Sequence, residues 1–351
     1  MKMAPSEGPV KELDEKSLEH VVKFVSDIRS GKIQGSTKIA MATVDLLEQI
    51  ISDAQNTTAL SLCGLVRACG RRIARALPGE LAAGNAVRRV LRAIRDEQRA
   101  IANQGGEGAG ESLQRLVLAA PHRRATLGAS AQDLREPLRD QIAELRAELE
   151  SSTSAIVAQA GEHVRGGDAV LTYGASALVE RFVRAAPPAM LILAEGPDVR
   201  ESHAMAARLS TVGVPVTLVS AAAVAGLMSR VNKVIVGCRA ALAGGAALGA
   251  AGLHAVTTAA KYYSVPVIVV AALHELSPLQ ACDQRRLAAR APPHRHLPYE
   301  SADSCEPAPA PLYDYVPPDH VTLFVTNLGG SSPSYIYRLL SELYDPNDSE
   351  I

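Results

Sequence analysis

Glu195, Arg239 and the adjacent pair His274-Glu275 each follow a short apolar run in this sequence. Strand ends of that kind are where open α/β sheets present functional side chains. A carboxylate, an imidazole and a guanidinium in mutual reach would suit proton transfer to or from a bound anion, given matched pKa values. The same four residues would equally make an ion-paired rim with no chemistry. Ser176, in Gly174-Ala175-Ser176-Ala177-Leu178, lacks the second glycine of a nucleophile elbow, and no His and Asp follow at strand ends in the order that motif requires. His294 and His296 sit in a proline-rich stretch without two further ligands for zinc. Gly244-Gly245 with Gly249 and Gly252 has neither dinucleotide-binding spacing nor the Lys-Ser/Thr close of a phosphate loop, so it reads as close backbone packing. These residues imply no metal and no cofactor.

Composition narrows the class further. The chain has 351 residues, 47% hydrophobic and 21% charged, with a formal net charge of −1. That is enough for about two globular domains, and it carries no global attraction for nucleic acid or an anionic membrane. Aromatic residues are 3% with no Trp, which argues against a base-stacking surface. No run of about 18 apolar residues suggests a membrane span, and the polar beginning has no signal core. The five cysteines, Cys63, Cys69, Cys238, Cys282 and Cys305, form no CxxC pair and read as thiols in a reducing compartment. The expected location is the cytosol.

The elements that must position the rim divide into two textures. Up to about residue 165 the apolar residues recur at helical spacing: Leu18, Val21, Val25 and Ile28; Met41, Val44, Leu47 and Ile51; Leu62, Val66 and Ile73; Val87, Leu91, Ile94 and Ile101. Ser36 or Thr37 is expected to cap the second of these helices, and Thr57 or Thr58 the third. The fourth carries a basic face of Arg88, Arg89, Arg92 and Arg95, either a solvated surface or a docking face for an acidic partner. A glycine-rich linker over 104–110 precedes further helix with Leu134, Leu138, Ile142, Leu145 and Leu149. From residue 166 six short apolar runs alternate with helix-length segments: Val170–Tyr173, Met190–Leu193, Val214–Val219, Val234–Val236, Val267–Val270 and Val321–Val325. Alternation of this kind predicts an α/β domain with a mostly parallel, doubly wound sheet of about six strands. The expected organisation is a helical domain over 1–165, then a Rossmann-like domain over 166–351 with a flexible, proline-rich insertion at 284–311. Residues 228–272 read as a strand–helix–strand crossover, with the small-residue run from Cys238 as its helix.

Three longer runs carry a resemblance. They are Met228-Ser229-Arg230-Val231-Asn232-Lys233-Val234-Ile235; Tyr313-Asp314-Tyr315-Val316-Pro317-Pro318; and Asn327-Leu328-Gly329-Gly330 with Pro333-Ser334-Tyr335-Ile336-Tyr337-Arg338-Leu339. With Gly84-Asn85 and Arg95-Asp96-Glu97 in the helical half, the chain resembles the regulatory alpha/beta/delta family of eukaryotic translation initiation factor 2B, in its beta-type form. The resemblance implies a helical domain followed by a Rossmann-like one. It also implies membership of a decamer with two copies each of alpha, beta, gamma, delta and epsilon subunits. That assembly exchanges GDP for GTP on initiation factor 2. Its regulatory subunits bind the alpha subunit of initiation factor 2 and respond to its phosphorylation, while exchange belongs to epsilon. No cofactor, nucleic acid or membrane is implied. Arg230, Asn232, Lys233, Asn327, Pro333, Ser334, Tyr335, Tyr337 and Arg338 become the expected interface positions.

The same fold is shared with sugar-phosphate isomerases such as methylthioribose-1-phosphate isomerase, which makes an isomerase-like enzyme or a ligand sensor the alternative. Laid onto this sequence, their catalytic Cys falls at Gly174, their Asp at Arg239 and their helical Asn-Lys pair at Gly249-Ala250. Their Arg-Pro phosphate clamp is replaced by Gly196-Pro197-Asp198. Without the thiol and the carboxylate, an aldose–ketose proton shuttle has no groups to run on.

Overall fold

The computed structural model describes residues 14–54, 58–104, 131–280 and 311–349. Two compact units form: Met1–Leu149 together with Leu343–Ile351, and Glu150–Glu342. The expected insertion at 284–311, apart from Pro311, and the glycine-rich linker, apart from Gln104, lie outside the described residues, as do His294, His296, Cys282 and Cys305.

In the first unit the helical periodicities become α1 (Glu15–Arg29), α2 (Ser36–Asp53), α3 (Ala59–Ala76), α4 (Leu81–Gln104) and the first part of α5 (Ala131–Ala158). Thr58 caps α3 by accepting the Ser61 N–H, while Gly35 rather than Ser36 or Thr37 occupies the cap of α2. The faces bearing Val21, Ile39, Val44, Leu47, Ile50, Val66, Ile73, Val90, Leu91, Ile94, Leu138 and Ile142 close on one another as a single core. Each such side chain, fully withdrawn from water, contributes about 1.5–3 kcal/mol.

The boundary between units differs from the sequence expectation. It falls inside α5, at Leu149, rather than at 165, and the last residues belong to the helical unit. The cause is a small ionic core that no local pattern announces. Tyr344, Asp345 and Asp348 are all buried. Asp348 accepts from Arg67 of α3 at 2.7 and 2.9 Å and from Arg95 of α4 at 2.9 Å. Asp345 pairs with Arg95 at 2.8 Å and Arg99 at 3.0 Å.

The second unit is built on β1 (Ala169–Tyr173), β2 (Met190–Ala194), β3 (Val216–Val219), β4 (Lys233–Gly237), β7 (Val267–Val270) and β10 (Leu323–Thr326), with α7 (Ala177–Ala185), α8 (Val199–Thr211) and α10 (Leu253–Tyr262) among its connecting helices. The six apolar runs are these six strands. They pair in parallel in the order β10-β7-β4-β1-β2-β3, and β11 (Gly329–Ser331) adds an antiparallel edge beside β10. Near-continuous burial of β1, β2, β4 and β7 accounts for their unbroken apolar sequence, since a parallel sheet is covered on both faces.

The crossover is corrected. The small-residue run after β4 is a hairpin, β5 (Ala240–Leu242) and β6 (Ala247–Ala250), and the helix is confined to α10. The hairpin lies at the centre of a second sheet in the order β8-β5-β6-β9, with β8 at Leu276–Ser277 and β9 at Tyr313–Val316. Gly245 makes the turn with φ of 77°, a conformation alanine resists. Among the described residues, no helix is long and apolar enough to cross a membrane.

The tail sets an acid limb. Burial by itself would raise the Asp345 carboxyl, but the Asn347 N–H and the Arg95 guanidinium overcome it and hold its pKa at about 2, against an ordinary 3.8. A depressed folded pKa gives stability that is present above about pH 4 and lost as pH falls toward 2. Melting curves of wild type and Asp345→Asn across that range should therefore converge as the pH drops. A constant gap between them would exclude this role for Asp345.

Candidate functional site

The carboxyl ends of β1, β2 and β4 are where a ligand of this fold would sit. In this chain that space is filled by its own atoms. Gly174 leaves β1 with φ of 65°, donating its N–H to the Ala194 carbonyl at 2.8 Å. It lies so close to Gly196 that a Cβ on Gly196 would stand 2.6 Å from the Gly174 Cα. A Cβ on Gly237, at the end of β4, would fall 2.7 Å from the Ser176 Oγ. Ser176 itself accepts the Val179 N–H and caps α7, a structural use of the hydroxyl rather than a nucleophilic one.

The start of α10 is closed in the same way. The Tyr173 hydroxyl donates to the Ala251 carbonyl at 2.5 Å. It lies where a Cβ on Gly252 would be, 2.0 Å from the hydroxyl oxygen. Asp314 of β9 accepts the Gly252 N–H at 2.8 Å and the His254 N–H at 3.3 Å. These amides are the free donors of a helix N-terminus, the groups that hold a phosphate in other proteins; here a carboxylate of the chain takes them. Burial first, and then the Asp314 charge, push the Tyr173 phenol up, so it stays a neutral donor. Gly249 and Ala250, expected to align with a helical Asn-Lys pair, are strand residues of β6.

The titratable rim residues differ in their surroundings. Glu195 accepts from His203 at 2.8 Å. Arg239 lies over the Tyr313 ring, 5.9 Å from its centroid. His274 and Glu275 are buried, and the Glu275 carboxylate accepts the Ala272 N–H at 3.0 Å. Burial, and secondarily the Glu275 charge, push the Cys238 thiol well up, the opposite of an activated nucleophile.

The motif residues divide into two groups. Asn232 accepts the Ala169 N–H at 2.8 Å, and Lys233 binds Asp168 at 2.8 Å and the His163 carbonyl at 2.9 Å, so both tie β4 to the start of β1. Asn327 accepts the Leu273 N–H at 3.1 Å. These three hold the sheet together. Arg230, Tyr335, Tyr337 and Arg338 instead face solvent, with Tyr337 65% exposed. Arg338 lies over the Tyr335 ring at 5.7 Å. Pro333, Ser334 and Tyr337 line a groove of about 540 Å³ with Leu242, Ala246 and Tyr315. The hairpin turn packs hard against it: a Cβ on Gly245 would be 2.3 Å from the Pro333 carbonyl oxygen.

On α4 the basic face is largely engaged within the helical unit. Arg88 is buried and donates to the carbonyls of Asp348 and Ser349, Arg89 pairs with Glu148 at 2.5 Å, and Arg92 pairs with Asp96 at 3.2 Å. Arg95 holds both tail aspartates. Sequence reasoning missed the importance of Tyr173, Asp314, Asp345 and Asp348. Only Asp314 left a signal, as the polar member of the alternating Tyr-Asp-Tyr in β9.

A doubly wound sheet, a closed ligand end and the exposed side chains of Tyr335, Tyr337 and Arg338 describe the class of protein. The initiation factor 2 subunit family matches residues 32–333, and the chain belongs to that family. It is 31% identical to translation initiation factor eIF2B subunit beta of Schizosaccharomyces pombe, over 94% of this chain and 96% of the relative. The corresponding figures for eIF2B subunit beta of Dictyostelium discoideum are 32%, 93% and 95%. A ribose 1,5-bisphosphate isomerase of Haloferax volcanii is 24% identical over 96% of this chain and 97% of its own. Among solved structures, eIF2B beta of Chaetomium thermophilum superposes with a TM-score of 0.71 at 25% identity, covering 95% of this chain and 93% of that one. The beta–delta tetramer of the same organism gives the same TM-score and identity, over 93% and 95%.

Because the Gly174–Gly196 contact is backbone against backbone, Gly196→Ala has no side chain to push aside. Calorimetry should show the sheet unit destabilised by about 2 kcal/mol or more. Gly226→Ala, where an added methyl meets nothing within 4 Å, is the control and should leave the melt in place. Equal melts for the two variants would remove the close-contact argument.

Proposed function

We propose that this chain is a regulatory, non-catalytic subunit of the guanine nucleotide exchange factor for translation initiation factor 2, in the beta-type position. The observation that carries the reading is the near end-to-end similarity to two beta subunits, above 90% of each partner in both alignments. The subunit contributes to assembly and to sensing phosphorylated initiation factor 2 in the cytosol. Its nearest partner is a delta-type subunit, by analogy with the tetrameric Chaetomium complex, within a decamer that also holds alpha, gamma and epsilon. The surface proposed for subunit contact is the exposed set Tyr335, Tyr337 and Arg338 with the groove that Pro333, Ser334 and Tyr337 line, and the exposed Arg230 is a further proposed position. Exposed tyrosines and arginines next to an apolar groove have the composition of interface anchors. The alpha subunit of initiation factor 2 is the substrate-side partner.

The isomerase reading rests on the Haloferax relative. Gly174 and Arg239 at the expected Cys and Asp positions, with Tyr173 and Asp314 in the ligand space, argue against it.

A tagged copy expressed in its own cell should bring down the other subunits, delta first. Tyr335→Ala with Tyr337→Ala should cut that recovery about tenfold or more while leaving the melting temperature unchanged. Recovery of the chain without any sister subunit would sink the assignment. Purified chain given ribose-1,5-bisphosphate should show no turnover; measurable ribulose bisphosphate would favour the isomerase instead.

A further inference from the structure

The ionic core of the helical unit has the make-up of a ligand site more than of a helix surface. Arg67, Arg88, Arg95 and Arg99 converge on one short segment, and they bind it at six places. Two are the Asp345 and Asp348 carboxylates, and two are main-chain carbonyls: Asp348 O accepts from Arg88 Nε at 3.0 Å and Ser349 O from Arg88 Nη2 at 3.1 Å. The remaining contacts are the second carboxylate oxygens, Asp348 Oδ2 to Arg95 Nη1 at 2.8 Å and Asp345 Oδ2 to Arg99 Nη2 at 3.0 Å. Asp348 is fully buried. The segment is preshaped: Asp345 accepts the Asn347 N–H at 2.9 Å and its Nδ2 at 2.8 Å, which fixes a tight Pro346–Asp348 turn and sets both carboxylates toward the arginines.

Among the described residues, Arg67, Arg95 and Arg99 meet the Asp345 and Asp348 carboxylates, Arg88 meets the main chain of the same segment, and Arg92 and Asp96 pair with one another beside the cluster. Arg89 and Glu148 pair alongside and cancel. Arg95 Nη1 and Asp348 Oδ2 touch as ions but without an aligned hydrogen bond, so the fit is electrostatic at that point. Planar guanidiniums in such numbers favour bidentate anions and resist removal from them.

We propose that this arginine face of α3 and α4 is a binding site for acidic peptide, of the form Asp-Pro-x-Asp on a tight turn, and that the chain's own 344–349 segment is its resident ligand. The site is filled in cis because tethering gives the segment an effective concentration near the millimolar range. A competing acidic segment must displace it, which makes occupancy of the tail the control on this face. The inference stands on the helical unit alone and is independent of the proposed subunit role.

The test uses the full chain carrying Asp345→Asn and Asp348→Asn, and a fluorescent peptide with the sequence of residues 343–350. The double variant should bind this peptide at least about tenfold tighter than wild type, whose site is occupied, and the peptide should raise the variant's melting temperature. A peptide with Asn at both Asp positions should do neither. Equal binding by wild type and variant, or none by a folded variant, overturns the proposal. Should the double variant fail to fold, Asp345→Asn alone leaves the buried Asp348 in place. That single variant should still gain on wild type in peptide binding, and no gain would overturn the proposal equally.

Discussion

The sheet unit depends on one close approach. Gly174 and Gly196 bring the exits of β1 and β2 together with no room for a Cβ on Gly196, and the consequences run outward from there. With the two strand ends drawn in, Tyr173 stands at the mouth and reaches Ala251, and Gly252 must be a glycine with φ of 96° to let the hydroxyl pass. The freed N–H groups at the start of α10 then need an acceptor, and Asp314 supplies it from β9 of the second sheet. Each element fills space at the carboxyl ends of the strands, where open α/β sheets usually hold ligands. Closure costs no exposed polar group, because the donors and acceptors satisfy one another.

That arrangement suits the scaffold role proposed for this sheet. Preorganised donors at a helix N-terminus stabilise a charged ligand only while they face solvent or substrate. Here they face the chain. The groups left at the surface are of another kind: the Tyr335–Arg338 stack, Tyr337, and a groove bordered by the hairpin and Pro333. The motif that carries the family resemblance is thus partly an internal brace, through Asn232, Lys233 and Asn327, and partly a surface.

Much of this was legible in the residues. The six apolar runs are the six parallel strands: in β1, β2, β4 and β7 burial on both faces leaves an unbroken apolar run, and alternation with helices orders all six. The α1–α4 faces were legible for the same reason at a different period. The hairpin over Ala240–Ala250 was not, since alanine favours helix by propensity and its small side chain marks no face. Its strand state comes from tertiary partners, β8 on one side and β9 on the other. The tail was silent as well. Asp345 and Asp348 look like any polar chain end, and their burial depends on arginines some 250 residues earlier. Tyr173 closed an apolar run and gave no hint that its hydroxyl was needed.

The role proposed for this chain is that of a scaffold that assembles with a delta-type subunit and does not act alone. Native mass spectrometry of the purified chain mixed with the delta-type subunit of the same cell tests it most directly. A mass corresponding to two copies of each is the predicted result. Separate masses for the two chains at every mixing ratio would contradict it.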